Sequence, residues 1–292
     1  MADLGMRRLP VLLRSAAERL AAAGIDSARH DAEALAAYLL GVARGRLSLV
    51  EGLDPPDARR YAELVGRRAE RVPLQHLVGR APFRHLDLAV GSGAFVPRPE
   101  TEVVVQWVVD VLRAGGSVRP LVVDLGSGPG TIALAVAHEL PAATVHAVER
   151  DPGAMAWAER NARERTAAGD SPVTLHLGDM AEALPELDGR ADMVVSNPPY
   201  VGTGEGRLLD PEVRDHDPAP ALWAGVDGLA GIRLVESVAR RLLRPGGRAV
   251  VEHSDRQGRS APEVFVLAGC WAEVADHRDL AGRDRFVTAS LS

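Results

Sequence analysis

The chain has 292 residues, of which 46% are hydrophobic and 25% are charged, and its formal net charge is -6. The length suits two domains or one large one, and the negative charge argues against a protein whose main task is to grip bare nucleic acid. The single cysteine, Cys270, and the absence of lysine exclude an internal disulfide, a cysteine-cluster metal site, a Walker-A phosphate loop and Schiff-base chemistry.

The first quarter of the chain follows a helical pattern. In LPVLLRSAAERLAAAGI the apolar residues recur every three or four positions. The segment ARHDAEALAAYLLG ends at Gly41, and DPPDARRYAELVGRRAE has prolines in its first turn, where a helix tolerates them. We predict three helices and no strand over residues 7–71, and therefore a small helical substrate-docking domain over residues 1–73.

Residues 74–98 change in character and are predicted to form a β-hairpin linker. The segment FRHLDLAV-GSG-AFV contains two short β-type runs, and we expect the Gly-Ser-Gly stretch between them to form the turn. The segment PRPETEVVVQWVVDVL then predicts a helix with prolines and acidic residues in its first turn. This helix opens the third predicted segment, a catalytic domain over residues 99–292.

From residue 121 onward, β-type and helical patterns alternate. Apolar strands that alternate with helices indicate a mostly parallel α/β sheet. The segment CWAEVADHRDLAGRDRFVTAS predicts two more strands that form an antiparallel edge. No run approaches the roughly twenty apolar residues of a membrane span, and the start lacks a signal-peptide pattern, so we expect a cytoplasmic protein. The predicted strands are 121–125, 144–149, 173–177, 191–196 and 247–252, and the predicted helices are 130–140, 152–167 and 228–243.

A glycine-rich loop follows the first strand of the predicted sheet. In VVDLGSGPGTIALAVA, Gly126, Gly128 and Gly130 occupy every second position directly before a helix, which differs from the G-x-G-x-x-G pattern of dinucleotide-binding folds. Glu149 ends the next strand, where an acidic residue would bind ribose hydroxyls. Asp179 and Met180 follow the third strand, near where an adenine would lie. Together these features predict a nucleoside-type cofactor site.

The segment ADMVVSNPPYVGTG ends a buried strand with a rigid corner. Asn197 offers a side-chain oxygen, and Pro198 offers a carbonyl oxygen without an N–H donor. Pro199 stiffens the turn, and Tyr200 supplies a flat face. Two rigid acceptors suit an NH₂ group attached to a planar system, because they orient it and stabilise positive charge that develops on its nitrogen. We predict Asn197, Pro198 and Tyr200 as catalytic residues.

These motifs resemble those of a known enzyme family. DLGSGPGTIALA and SNPPYV look like a class I S-adenosylmethionine-dependent methyltransferase, which implies a Rossmann-like sheet. Together with QHLVGRAPFRHLDLAVGSGAFVPRPETE, ALWAGVDGL and DLAGRDRFV, they resemble the protein-(glutamine-N5) methyltransferases that modify peptide chain release factors. The NPPY motif alone is shared with DNA adenine and rRNA guanine methyltransferases.

The resemblance implies a substrate, a cofactor and a set of site residues. The substrate is the glutamine in the Gly-Gly-Gln motif of class 1 release factors, and the helical domain docks the body of that protein. The cofactor, S-adenosyl-L-methionine, is held through Gly126, Ser127, Gly128, Pro129, Gly130, Glu149, Asp179, Met180 and Asn197. The substrate glutamine is clamped by Asn197, Pro198, Pro199 and Tyr200.

Several alternatives remain open at this point. The substrate could instead be a ribosomal-protein glutamine or an exocyclic amine in DNA or rRNA, and the chain could be an inactive methyltransferase-like binding module in translation. Arg98 and Glu100 either line the mouth of the site or serve the helix start. Arg67, Arg68 and Arg71 could contact an acidic partner or RNA, but we expect them to lie on a solvated helix face. We expect a monomer that binds no metal, no membrane and no nucleic acid directly.

Overall fold

The structure is a computed structural model in which residues 6–292 are described, and these residues form two compact units. The helical unit comprises the chain up to Arg80 together with Asp210–His216, and the sheet unit comprises Ala81–Leu209 and Asp217–Ser292. The predicted helical domain starts at residue 1, and residues 1–5 lie outside the described residues. The predicted division into 1–73, 74–98 and 99–292 stays a prediction.

The helical unit is built around an apolar core that includes Leu20, Leu35 and Tyr61. One feature contradicts the expectation that this region has no strand: β1 and β2 pair antiparallel, and a Cβ at Gly52 would lie 2.5 Å from the carbonyl oxygen of Arg7. Strands of two residues carry no periodic pattern, so they could not be read from the sequence. The elements are β1 (Arg7–Arg8), α1 (Leu9–Ala22), α2 (Ala28–Leu40), β2 (Gly52–Leu53), α3 (Pro55–Ala69) and α4 (Leu74–Val78).

The remaining elements belong to the sheet unit, with the exception of α8, which packs in the helical unit, and of Arg80, at which the first unit ends. They are β3 (Arg80–Phe83), β4 (Leu86–Ala89), α5 (Thr101–Ala114), β5 (Leu121–Leu125), α6 (Thr131–Glu139), β6 (Thr144–Glu149), α7 (Pro152–Ala167), β7 (Val173–Leu177), β8 (Ala191–Ser196), α8 (Pro211–His216), α9 (Ala230–Leu242), β9 (Leu243–Glu252), α10 (Ser260–Ala268), β10 (Trp271–Arg278) and β11 (Asp284–Leu291).

Seven strands form one twisted sheet in the order β10-β11-β9-β8-β5-β6-β7. The five strands from β9 to β7 are parallel, and β11 and β10 complete an antiparallel edge. Successive residues of β5 face opposite sides: Val122 packs in the core with α5 and α6, and Val123 packs in the core with α9 and α10. The fold is that of a class I methyltransferase, as the sequence predicted, with β5 at the position where the strand order reverses.

The predicted hairpin in the linker has its turn in a different place. Strands β3 and β4 pair with each other, and the turn between them is Arg84–His85. The residues around Gly93 form a separate turn after β4, and no strand follows there. Arg84 takes a φ of 51° in this turn, and its backbone N–H donates to the Glu102 carboxylate at 3.0 Å. Interactions with distant residues therefore hold a tight turn that contains no glycine.

Candidate active site at the carboxyl edge of the sheet

Strand register brings the predicted site residues into one row. Leu125 of β5 pairs with Ser196 of β8, and Ser196 pairs with Val251 of β9. The residues that come next, Gly126, Asn197 and Glu252, therefore lie at the ends of neighbouring strands, at the same edge of the sheet. Open α/β sheets bind ligands at the carboxyl ends of their strands, where the strand order reverses. This edge is the candidate active site.

The glycine loop adopts a backbone shape that explains its spacing. Gly126, Gly128 and Gly130 have φ angles of 70°, 56° and 85°, a left-handed region that side chains with a Cβ rarely adopt. A Cβ at Gly128 would meet no atom within 4 Å, so the backbone at this position is open to a ligand. The loop is supported by Asn161 of α7, whose Nδ2 donates to the Pro129 carbonyl at 3.0 Å. Sequence reasoning missed Asn161, since it lies 32 positions from its partner.

The acidic residue predicted to bind ribose lies directly beside this loop. Glu149 is buried at the end of β6, and its Oε2 accepts from the Gly128 backbone N–H at 2.8 Å. Its Oε1 accepts from the backbone N–H of Asp151, also at 2.8 Å. The structure thus brings Glu149 and the loop together. A ligand hydroxyl that used the same carboxylate would share its oxygen lone pairs with these two N–H groups.

Two buried oxygen atoms beside the loop have no partner among the described residues. They are Ser127 Oγ and Asp124 Oδ1. The other oxygen of Asp124 accepts from the Ala133 N–H at 3.0 Å, near the start of α6. Burial raises the pKa of Asp124 to about 7, and the nearby Glu149 adds to the rise. Unpaired buried polar atoms usually indicate a missing partner, and an amino-acid ammonium or carboxylate group would provide one.

The predicted adenine-site residues follow β7. Asp179 is exposed, and its Oδ1 accepts from the Ala181 N–H at 2.9 Å. Met180 is half-buried, and its methyl carbon lies 3.5 Å from the position that a Cβ on Gly126 would take. The structure therefore brings Met180 to the glycine loop. The Asp179 side chain stabilises a local turn through its hydrogen bond with Ala181 and is otherwise exposed to solvent.

The Asn-Pro-Pro-Tyr corner is packed tightly from behind. A Cβ at Gly231 of α9 would lie 2.5 Å from the Pro199 carbonyl oxygen, so only glycine allows α9 to approach this closely. Asn197 is half-buried, and its Nδ2 donates to Thr101 Oγ1 at 3.2 Å. Among residues 6–292, no hydrogen bond reaches the carbonyl oxygen of Pro198. Both acceptors predicted from the sequence are present at the corner.

Tyr200 completes the corner and is surrounded by charged groups. Its backbone carbonyl accepts from Gln257 Nε2 at 3.2 Å. Burial raises the pKa of its hydroxyl group, Glu252 raises it further, and Arg285 and Arg98 oppose the rise. The hydroxyl group is therefore neutral at physiological pH, and Tyr200 offers a ring and an O–H group but no phenolate base.

Arg98 and Glu100 of the PRPETE segment have different surroundings in the structure. Arg98 Nη2 donates to the buried Asp217 at 2.7 Å, and its guanidinium lies over the Phe95 ring at 5.1 Å. Glu100 occupies the N-cap position of α5 without a side-chain cap hydrogen bond. Thr101, which sequence reasoning did not single out, reaches Asn197 directly.

Glu252 is the other important residue that sequence reasoning missed. It is only 1% exposed, and its Oε2 has no partner among the described residues. Burial raises its pKa to about 7, while Thr101, the charge of Arg285 and Asn197 oppose the rise. The available signal was an acidic residue at the end of an apolar strand, GRAVVE, which is the same signal that identified Glu149.

The described residues contain neither a metal-binding cluster nor a membrane-spanning helix. In residues 6–292, no group of three or more His, Cys, Asp or Glu side chains is placed to hold a metal ion. The helices within the same range are all too short or too polar to cross a membrane.

Comparisons with known proteins identify the family. Residues 11–79 match the family described as PrmC N-terminal domain, and residues 106–208 match the methyltransferase small domain. A release factor glutamine methyltransferase of Streptomyces coelicolor is 52% identical over 284 residues, which cover 97% of this chain and 98% of that protein. This chain belongs to the release factor glutamine methyltransferase family. The resemblance indicated by the motifs is thereby confirmed.

Other relatives show how the family varies. A release factor glutamine methyltransferase of Mycolicibacterium smegmatis is 48% identical over 286 residues, which cover 98% of each chain. A 4-amino-L-phenylalanine/4-methylamino-L-phenylalanine methyltransferase of Streptomyces pristinaespiralis is 42% identical over 269 residues, which cover 90% of this chain and 89% of that protein. Proteins similar to this chain over most of their length therefore carry names with two different nitrogen substrates, an amide and an aryl amine.

Proposed function

We propose that this protein transfers a methyl group from S-adenosyl-L-methionine to the side-chain amide nitrogen of the glutamine in the Gly-Gly-Gln motif of class 1 peptide chain release factors. The single observation that supports this function is the position of the NPPY corner. Two oxygen acceptors, Asn197 Oδ1 and the Pro198 carbonyl, directly follow β8, which pairs with the strand that leads into the glycine loop, so both lie at the same edge of the sheet. Relatives named for this activity match nearly the whole chain.

The residues beside the glycine loop suit the proposed cofactor. Its methionine part requires partners for an ammonium and a carboxylate group, and the unpaired Ser127 Oγ and Asp124 Oδ1 offer polar atoms of this kind. The cofactor supplies an electrophilic methyl carbon when bound. The residues that we propose to hold it are Gly126, Ser127, Gly128, Pro129, Gly130, Glu149, Asp179, Met180 and Asn197.

The NPPY corner has to overcome the weak nucleophilicity of an amide nitrogen. The lone pair of that nitrogen is delocalised into the carbonyl group, so the nitrogen must be held in line and stabilised as it becomes positive. Asn197 Oδ1 and the Pro198 carbonyl accept hydrogen bonds from its two N–H groups, which fixes the NH₂ group and presents preset dipoles to the developing charge. Well-oriented reacting pairs reach effective molarities of about 10⁵ M or more. Pro199 keeps the corner rigid, and the Tyr200 ring packs against the planar amide.

The partner and the role of the helical unit are part of the same proposal. We propose that residues 11–79, which match the PrmC N-terminal domain, dock the body of the release factor. The net charge of -6 supports a protein substrate over nucleic acid, because nucleic-acid enzymes generally carry a basic groove. We propose that the enzyme acts as a monomer.

The substrate is tested by supplying labelled S-adenosylmethionine and the release factors of the same organism. We expect one methyl group per factor, located by mass spectrometry on the Gly-Gly-Gln peptide. A release factor with Gly-Gly-Ala in this motif is the control and should remain unlabelled. Label on rRNA or on a ribosomal protein instead would contradict the proposed substrate.

A second candidate substrate follows from the relative in Streptomyces pristinaespiralis. The NPPY corner would accept any NH₂ group on a planar system, including the aryl amine of 4-amino-L-phenylalanine. Supplying this amino acid in the same assay decides between the two substrates, since transfer to it alone would favour the aryl amine. Calorimetry with S-adenosylmethionine separates an enzyme from an inactive binding module, which should bind the cofactor weakly or not at all.

A further inference from the structure

Three polar side chains form a connected group behind the NPPY corner. Thr101 begins α5, Asn197 follows β8, and Glu252 ends β9. Asn197 Nδ2 donates to Thr101 Oγ1 at 3.2 Å, and the pairing of Ser196 with Val251 places Glu252 beside Asn197. Thr101 and Asn197 both favour the ionised form of Glu252. Thr101 and Glu252 are 3% and 1% exposed, so water has little access to either side chain.

The position of Asn197 Nδ2 shows which way the Asn197 amide faces. Nδ2 donates to Thr101 Oγ1 at 3.2 Å, so the amide nitrogen lies on the buried side. Strand register places Glu252 beside Asn197, and Glu252 Oε2 is buried without a hydrogen-bond partner among the described residues. An ionised carboxylate only accepts hydrogen bonds, so it favours an N–H group over an amide oxygen as its neighbour. A flipped amide would turn Oδ1 toward the buried side and lose the N–H donor of this contact.

We propose that Thr101 and Glu252 are positioning residues, which hold the Asn197 amide in the one orientation that presents Oδ1 to the NH₂ group of the substrate. This inference deepens the proposed function and rests on it. It gives a reason for burying Glu252 beside the corner, although none of the residues 6–292 forms a salt bridge with it. Thr101 and Glu252 would hold Asn197 in position, and neither of them needs to contact the substrate or the cofactor.

The charge of Glu252 makes the orientation of the Asn197 amide depend on pH. Arg285 of β11 favours the ionised form of Glu252, while Glu100, before α5, disfavours it. Burial and the charge of Glu252 raise the pKa of the Tyr200 hydroxyl, which therefore stays neutral. Protonated Glu252 has an O–H donor that can serve a flipped Asn197. Because the pKa is raised to about 7, we expect the orientation to be secure above this pH and to weaken as the pH falls through it.

Substitutions at Thr101 provide the matched pair for the test. Thr101→Val keeps the shape of the side chain and removes the hydroxyl group, whereas Thr101→Ser keeps the hydroxyl group. We expect Thr101→Val to lower kcat for release-factor methylation roughly 10- to 100-fold, as is typical when a residue that orients a functional group is lost. Thr101→Ser should recover most of the activity. Calorimetry should give the same Kd for S-adenosylmethionine in both variants and the wild type.

A variant of Glu252 adds a pH readout that a merely structural residue would not change. Glu252→Gln is neutral at every pH and carries both a donor and an acceptor. We expect its kcat at pH 8 to be lower than that of the wild type. The wild-type kcat should fall from pH 8 to pH 6 as Glu252 becomes protonated, and the variant should not show this fall. Circular dichroism confirms that the variant is folded.

Three outcomes would overturn the inference, and a fourth concerns only the proposed function. The inference is wrong if Thr101→Val keeps the wild-type kcat. It is also wrong if Thr101→Val and Thr101→Ser lower kcat to the same extent and weaken S-adenosylmethionine binding to the same extent. A measurement without substrate provides the third outcome: NMR should show Asn197 Nδ2 hydrogens that exchange slowly in the wild type and faster in Thr101→Val, and fast exchange in the wild type would contradict the assigned contacts. A wild-type protein that leaves release factors unmethylated contradicts the proposed substrate, while the NMR result still decides the orientation.

Discussion

At the scale of single residues, Asn197 connects the buried side of the corner with its open side. Its Nδ2 is directed toward Thr101 Oγ1 at 3.2 Å, and its Oδ1 is the atom proposed to receive the substrate. The neighbouring Pro198 contributes only a carbonyl oxygen, because proline has no N–H group. Removing the side chain of Asn197 should therefore remove one of two acceptors and leave the rigid backbone of the corner in place.

We expect Asn197→Ala to lower kcat about 10²- to 10³-fold, the range seen when one preorganised group that stabilises a transition-state charge is removed. Its Kd for S-adenosylmethionine, measured by calorimetry, should change far less than kcat. Thr203→Ala is the control, since Thr203 is exposed on the loop that follows the corner. Unchanged turnover in Asn197→Ala would remove this residue from its assigned role.

Asp124 carries a second prediction at this scale, which concerns stability. Burial raises its pKa to about 7, well above the value of about 3.9 in an unfolded chain. Between these values the folded state binds more protons than the unfolded state, so the stability from this group is present at low pH and is lost as the pH rises toward 7. Each unit of the raised pKa corresponds to about 1.4 kcal/mol.

Asp124→Asn removes this titration and keeps an oxygen acceptor for the Ala133 N–H. Urea unfolding at several pH values should show the variant gaining stability relative to the wild type from pH 5 to pH 7, with little further change above pH 7. Asp215→Asn is the control, because Asp215 is exposed and Arg214 lowers its pKa. A stability difference between the Asp124 variant and the wild type that does not vary with pH would contradict the prediction.

At the scale of elements, local patterns predicted the sheet strands better than the connections. The bounds predicted for β5, β6, β7 and β8 match the structure, since each strand is a short apolar run that ends in polar or turn residues. Helix α10 was missed, and the hairpin turn at Arg84 was placed wrongly at the glycines. That turn is stabilised by Arg84 pairing with Glu139, 55 positions away, and such a contact leaves no local signal.

The candidate site shows the same division between local and distant information. The glycine loop, Glu149 and the NPPY corner were all predicted because each is a short motif at the end of a strand. The links between them were not: Thr101 and Asn197 are 96 positions apart. Register across β5, β8 and β9 creates the row of Gly126, Asn197 and Glu252, and register depends on pairing that the sequence does not display.

The glycine loop yields a prediction about backbone shape. Gly128 and Gly189 have φ angles of 56° and 68°, and a Cβ at either position would meet no atom within 4 Å. Alanine at each should therefore cost a similar amount of stability, about 1–2 kcal/mol for a left-handed residue with a Cβ. We expect only Gly128→Ala to weaken S-adenosylmethionine binding in calorimetry, because only that backbone is proposed to contact the cofactor. Equal cofactor affinities in the two variants would contradict the role of the loop.

At the scale of the whole molecule, the chain does not divide at a single point. Residues 210–216 occur in the sequence after the NPPY corner, yet they belong to the helical unit. Glu212 of this segment accepts from Arg68 Nη1 at 2.7 Å and from Arg71 Nη2 at 2.6 Å. The solvated helix face expected for Arg67, Arg68 and Arg71 is therefore wrong for Arg68 and Arg71, whereas Arg67 is exposed. Arg68 is buried, with Asp31 as a further partner at 2.7 Å. The sequence placed the arginines on a helix but could not show a partner more than 140 positions away.

The Glu212 interactions predict how firmly this segment is held. Glu212→Ala would leave Arg68 with one carboxylate partner in place of two, and hydrogen bonds between charged groups contribute about 1.5–3 kcal/mol each. We expect residues 210–216 to detach more often, so that trypsin cleaves the variant faster at Arg207 and Arg214, as followed by mass spectrometry. Asp215→Asn on the same short helix is the control, because its pair with Arg214 is exposed and contributes little. If cleavage at these two arginines is no faster in Glu212→Ala than in this control, the salt bridges to Glu212 do not hold the segment on the helical unit.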